Sequence, residues 1–300
     1  MFAFVKDKIA VKVALVVNLI LFVVMAIGTF YMVKLLNQSL EDRLKEKAEI
    51  LSIVGAAVVQ TTLEEAIDNG ALTVAEAFDQ EYEEIPGFEP PKYHTKYDAY
   101  LDKALLKVQD SFLNDPSVVY AVAADSKGYV PTHNTRYQKP ITGDKEKDKV
   151  GNRTKRVFND PVGIKAAETE KEGYLQIYPR DTGEIMWDVS SIIKVKGKKW
   201  GAFRIGYSLV KIAEQKAALT SKLIIIMAII FLISFVLVFV FVNRALKPVS
   251  HLTKVASKMA DGDVNQIIEK QTTDEIGRLA DVIERLRVSL KKAIDLIKEK

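Results

Sequence analysis

The sequence predicts an α+β membrane protein: two transmembrane helices, a mixed α/β domain between them, and a bundle-forming helical segment at the C-terminal end. Three observations predict it. Two runs of 21 residues, 13–33 and 223–243, contain neither a charged residue nor a proline. The 189 residues between them, 34–222, are polar overall and change from helical to strand-like patterning part-way. After residue 244, apolar residues recur at alternating steps of 3 and 4, the spacing of a helical seam.

The averages alone conceal this. Over 300 residues the chain is 48% hydrophobic and 27% charged, with a mean hydropathy of +0.04. Those values exclude a disordered chain, a collagen-like fibre and a disulfide-stapled mini-protein. The absence of cysteine excludes disulfides, Fe–S clusters, thiolate zinc sites and c-type haem attachment.

Residues 1–12 carry Lys6, Lys8 and Lys12 and form a short basic N-terminus. In the following run, residues 13–33, a helix of 21 residues would be about 31 Å long, the thickness of the hydrocarbon core. A cleaved signal peptide is the competing reading. The run is too long for a signal's apolar core, no A-x-A site follows, and a charged helical stretch continues it, so an uncleaved span is expected.

The domain 34–222 opens with a helical stalk to about Glu65, whose apolar stripe includes Leu36, Leu40, Leu44, Ala48 and Leu51. A Gly/Pro break follows at 86–91, then a second helix over 97–113. The β-branched run Val118 to Ala124 precedes a turn, Asp125-Ser126-Lys127-Gly128, from which Tyr129-Val130 returns as the second strand of a hairpin. Strands are expected at 174–178, 185–193 and 200–207, with an inserted helix near 160–168.

This order resembles the PAS-like Cache fold of extracytoplasmic bacterial sensors. The segment Pro131-Thr132-His133-Asn134 and the runs 151–156, 180–184 and 199–204 are similar to sensor regions of methyl-accepting chemotaxis receptors. The resemblance implies a small-molecule ligand but supplies no ligand identity. On chemical grounds the pocket candidates are His133, Asn134, Arg153, Arg156, Tyr178, Arg180, Asp181, Trp187, Asp188 and Arg204. Arginine offers a planar fork suited to carboxylates, and aromatic rings offer pocket walls. Arg180 and Asp181 could instead pair with each other, and Trp187 could be core. His133 also raises non-covalent haem as an alternative cofactor, with His94 the other histidine of this domain.

The second span, residues 223–243, leads into residues 244–300. There Val249, Leu252, Ala256 and Met259 form one apolar seam, and Ile276, Leu279, Ile283, Leu286, Leu290, Ala293 and Ile297 another. A lone helix cannot bury such a seam. Pro248 fixes φ near a helix start, Gly262 ends the first helix, and Val264 with Ile267 or Ile268 anchors the connector. Asp274 or Thr273 can cap the second helix, where Glu275 suits the positive helix end. The pattern of Pro248, Gly262-Asp263-Val264, Ile268 and Asp274-Glu275-Ile276-Gly277 resembles the HAMP domain, the relay module that follows the last membrane span of bacterial and archaeal receptors. The resemblance implies a parallel four-helix bundle formed by two chains in the cytoplasm, which signals by rotation, tilt or repacking.

Charge placement agrees with that orientation. Residues 1–12 are net +2 and residues 244–300 net +3, so the remainder is net −1 within a total of +4. The excess lies on the two segments expected in the cytoplasm, which removes the motive for a nucleic-acid partner. No Walker loop, HExxH, GxSxG, kinase or cyclase signature is present. The expectation is therefore a non-enzymatic, homodimeric inner-membrane receptor in contact with lipid. It would sense a small molecule or redox cue outside and hand its state to a separate kinase, cyclase or chemoreceptor-type effector, because only about ten residues follow the HAMP-like segment. The alternatives are an accessory scaffold that binds a protein partner, and a haem-binding redox sensor.

Overall fold

The computed structural model describes residues 8–180 and 182–298, and the chain divides into two compact units. One is Lys34–Ser221. The other comprises the flanking segments, up to Val33 and from Lys222 onward.

Helix α1, Ile9–Asp68, supplies both the first apolar run and the stalk as 60 unbroken residues. Its stalk buries Leu44, Ala48, Ala56, Val59, Leu63 and Ala66 against a four-stranded sheet. Gly55 permits the close approach: a Cβ there would lie 2.1 Å from the ring of Phe203. Helix α2, Val74–Ala77, begins on a capping box between Thr73 and Glu76. Strands β1, Glu83–Ile85, and β2, Lys92–His94, then form a hairpin where the sequence read only as a Gly/Pro break. Helix α3, Asp98–Phe112, falls within the expected range.

The sheet joins β3, Val118–Asp125, β6, Tyr174–Pro179, β7, Ile185–Val195, and β8, Lys198–Ser208, in the antiparallel order β3-β8-β7-β6. Lys196 and Gly197, both at positive φ, make the two-residue turn from β7 to β8, which matches the twist of the strands. Alternation along the strands sorts their side chains into two faces. Ala121, Ala123, Trp187, Val189, Phe203, Ile205 and Tyr207 join the core with α1 and α3, whereas Tyr120, Val122 and Met186 face the other way.

The expected hairpin between 118–124 and 129–130 does not form. Strand β4, Tyr129–Val130, pairs instead with β5, Arg156–Val157, and β3 pairs with β8. Asp125 is the cause. Its carboxylate accepts the amide N–H groups of Lys127 and Tyr129 at 2.8 and 2.9 Å, replacing the ladder partner β3 would have offered. Gly128, at φ +83°, then accepts the Phe158 N–H at 2.8 Å, which ties the returning chain to the 156–158 segment. A 3₁₀ turn at Thr135–Tyr137 and two short helices, α4 at Lys145–Gly151 and α5 at Pro161–Ala167, complete this face.

In the second unit the two apolar runs are helical and mostly exposed, as with Phe30 (75%) and Leu232 (64%). Both helices are long and apolar enough to cross a membrane. Phe22 and Phe231 meet edge to face with centroids 5.4 Å apart. Helix α6, Leu209–Ala260, is continuous through the second run, so Pro248 lies inside a helix rather than at its start. The proline leaves the Arg244 carbonyl without its intrahelical N–H. The connector and helix α7, Glu275–Lys298, follow.

Candidate functional site

On the sheet face away from α1 lies a cavity of about 490 Å³. Strand parity delivers Tyr120 and Val122 from β3, Tyr178 from β6 and Arg204 from β8. The segment 153–162 closes the other side. Of the sequence candidates, His133, Arg153, Arg156, Tyr178, Arg180 and Arg204 all line it. Asn134 is buried behind it, its Oδ1 accepting the Ala121 N–H at 2.9 Å. Trp187 is on the opposite face, packed in the main core, because it is odd-numbered on a strand whose even-numbered residues face the cavity. Asp181 lies outside the described residues.

Asp188 is fully buried and holds Arg204 by a fork: Nε to Oδ1 at 3.2 Å and Nη2 to Oδ2 at 3.1 Å. The Tyr120 hydroxyl donates to the same Oδ1 at 2.7 Å and lies 3.2 Å from the Tyr178 hydroxyl. Burial works to lower the Arg204 pKa, but the charge of Asp188 together with Tyr120 and Tyr178 outweighs it and raises it. Burial, then the Asp188 charge, drives Tyr120 well above the usual phenol range. Arg180 donates to the Tyr137 hydroxyl at 3.1 Å and lies over the Tyr137 ring at 4.8 Å. Arg153 and Arg156 each lie 5.1 Å from the Phe158 ring. Among the described residues lining the cavity, four arginines stand against one carboxylate, Asp160, whose Oδ1 caps α5.

His133 is neutral at physiological pH. Burial, then the charges of Arg153, Arg180, Arg156 and Arg204, press its pKa well below the usual value. Its Nδ1 accepts the Asn134 N–H at 2.8 Å, which places the ring proton on Nε2. That tautomer presents no Nε2 lone pair to an iron, and the Tyr137 ring packs at 4.7 Å. The haem alternative does not fit this histidine.

The C-terminal segment has its own geometry. Gly262, at φ +93°, closes α6 with a Schellman motif: Gly262 N–H to Met259 O at 3.1 Å and Asp263 N–H to Lys258 O at 2.9 Å. Val264 and Ile268 are buried, whereas Ile267 is exposed. Asp274, rather than Thr273, caps α7 by accepting the Ile276 and Gly277 N–H groups. Gly277 is sterically required, since a Cβ would lie 1.8 Å from the Thr272 carbonyl oxygen. Residues 240–292 match the HAMP domain family.

Within the HAMP segment Leu252, Val255 and Met259 pack with Ile268 and Ala280. Ala256 of the expected seam is exposed in the single chain, whereas its neighbour Val255 is buried. Two residues escaped sequence reasoning. Glu284 accepts the Ile268 N–H at 2.9 Å, and Arg287, itself paired with Glu284, donates to the Val264 carbonyl at 2.8 Å. Together they bind the connector to α7. Arg287 and the Ile268 N–H hold the Glu284 carboxyl down at about 2. Charged residues three apart on a helix are a weak signal, so nothing in the sequence marked them.

No curated protein matches the chain. Among solved structures it is similar to the sensory domain of the Campylobacter jejuni chemoreceptor Tlp3 with isoleucine bound, at 10% identity and TM-score 0.30, covering 60% of this chain and 66% of that one. The ligand-binding domain of the same receptor with L-valine gives 9% identity, TM-score 0.30 and the same coverages. An extracellular ligand binding receptor from Desulfohalobium retbaense gives 13% identity and TM-score 0.26, covering 57% of this chain and 27% of that one. The chain thus spans just under two thirds of the chemoreceptor domains. At such scores neither a fold nor a ligand transfers, and both rest on this chain's own geometry.

Proposed function

We propose that the chain is a transmembrane sensor in which occupancy of the four-arginine cavity, by a small carboxylate, repositions the helix that enters the HAMP segment. One observation carries the reading. Arg204 lines the cavity on β8, that strand ends at Ser208, and α6 begins at Leu209 and runs without a break to Ala260. Strand, span and first HAMP helix are therefore one covalent lever. A ligand that recruits the Arg204 fork changes the strand's position only by its differential affinity for two states of that lever.

The planar guanidinium forks that reach the cavity suit a carboxylate. Val122, Val130, Val157 and Val162 offer an apolar wall for the rest of the molecule. The unpaired seam of α7, with Leu279, Leu286, Leu290 and Ile297 between 38% and 75% exposed, calls for a second chain, so the working unit is a homodimer. In this reading residues 34–222 form a Cache-like domain outside the inner membrane, and the HAMP segment is cytoplasmic, where a kinase, cyclase or chemoreceptor-type effector reads it.

The test is a thermal-shift screen of the purified full chain with small carboxylates, amino acids and haem. It is followed by cysteine crosslinking in the HAMP segment with and without the compound that binds. A carboxylate that raises the melting temperature and changes the crosslinking pattern supports the sensor. If no compound shifts melting and a protein partner co-purifies instead, the ligand-sensor reading fails.

A further inference from the structure

A second cavity, of about 370 Å³, lies apart from the first, between the β1–β2 loop and α4. Its lining includes Phe88, Pro90, Lys92, Ile141 and Asn152. Lys92 is only 6% exposed, and a lysine so buried ordinarily meets a carboxylate. Here the ammonium meets neutral acceptors: Asn152 Oδ1 at 2.5 Å and the Thr154 carbonyl at 2.7 Å. An ammonium has three N–H groups. For the third, the described residues offer no hydrogen-bond acceptor, and the Phe88 ring centroid lies 5.5 Å from Nζ.

The carboxylates lining the cavity are committed elsewhere. Glu89 pairs with Lys145, both well exposed. Asp148 accepts the Thr142 N–H and hydroxyl and the Gly143 N–H, at 2.8–2.9 Å. Neighbouring Lys155 is answered by Asp98 and Asp102 at 2.9 and 2.8 Å, whereas among the described residues Lys92 is met only by neutral groups. Burial, then the charges of Arg156 and Lys155, draws its pKa down to about 8.

We propose that this cavity is a second ligand site, in which a small carboxylate accepts the third N–H of Lys92 and rests its apolar part on Phe88, Pro90 and Ile141. The ligand would supply the negative charge the protein withholds. It would also bear on the first cavity, because Asn152 and Thr154, which hold Lys92, alternate with Arg153 along the segment leading to Arg156.

Equilibrium dialysis of radiolabelled butyrate against the full chain in lipid nanodiscs, with protein-free discs subtracted, tests this independently of the sensor reading. Wild type is expected to bind butyrate at a site that Lys92→Met weakens at least tenfold. Lys103→Met, on an exposed position of α3 outside the cavity lining, should retain it, and acetate should displace it better than phosphate or chloride. Should Lys92→Met fail to fold, Lys92→Arg, which keeps the charge, should retain measurable binding that Lys92→Gln lacks. Equal butyrate stoichiometry and affinity in wild type and Lys92→Met would overturn the proposal. So would displacement by phosphate in preference to acetate.

Discussion

Replacing Arg204 by methionine keeps most of the side-chain volume but leaves the fully buried Asp188, among the described residues, with the Tyr120 hydroxyl as its one side-chain donor. Removing one partner of a buried pair costs about 3–5 kcal/mol, chiefly through the uncompensated charge. For a domain of this size each kcal/mol corresponds to roughly 2–4 °C, so the melting temperature should fall by about 6–20 °C. Asp188→Asn should cost a similar amount. It leaves the buried Arg204 guanidinium without the carboxylate that holds both Nε and Nη2. The double variant removes both charges and should cost less than the sum of the singles by at least about 2 kcal/mol. Both tryptophans, Trp187 and Trp200, are buried in this domain, so fluorescence-detected melting reads its unfolding. Additivity of the two substitutions, or an Arg204→Met cost below about 1 kcal/mol, would refute the reasoning.

Three further outcomes are expected. Gly277→Ala should force the connector away from the start of α7, since the added Cβ meets a backbone oxygen at 1.8 Å. Faster amide exchange at Ile276 and Gly277 would register this, and unchanged exchange would contradict it. The Glu284 clamp should be pH-sensitive. Its carboxyl is lowered from 4.5 to about 2, so its contribution is complete above the unfolded value and is lost as pH falls from about 4.5 toward about 2. Exchange protection at Ile268 should decline over that window in wild type and be flat in Glu284→Gln. In a chain without native cysteine, Leu279→Cys and Leu286→Cys should each crosslink to the same position of a second chain. Failure at both would remove the parallel dimer.

The sequence by itself determined the main elements and their order, though not the β1–β2 hairpin, α2, α4 or β5. The uncharged runs 13–33 and 223–243, the stalk, the strands at 118, 174, 185 and 200, the short helix after Asp160, Gly262 as a helix stop, and a helix start at Thr273 or Asp274 were all legible, because each rests on local periodicity or on one residue's backbone preference. Six of the ten pocket candidates line one cavity; Tyr178 and Arg204 do so by strand alternation, whereas His133, Arg153 and Arg180 come from loops that folding brings to the same face. What only the tertiary structure decided depends on partners distant in sequence. The carboxylate of Asp125 turned an expected hairpin into two separate pairings. Pro248 lies within a helix because the span continues through it. Trp187 and Asp188, adjacent in sequence, separate into core and cavity network once β7 acquires neighbours on both sides. Lys92, Glu284 and Arg287 carried no pattern of their own, since what marks them is the set of acceptors that folding brings to, or withholds from, a buried charge.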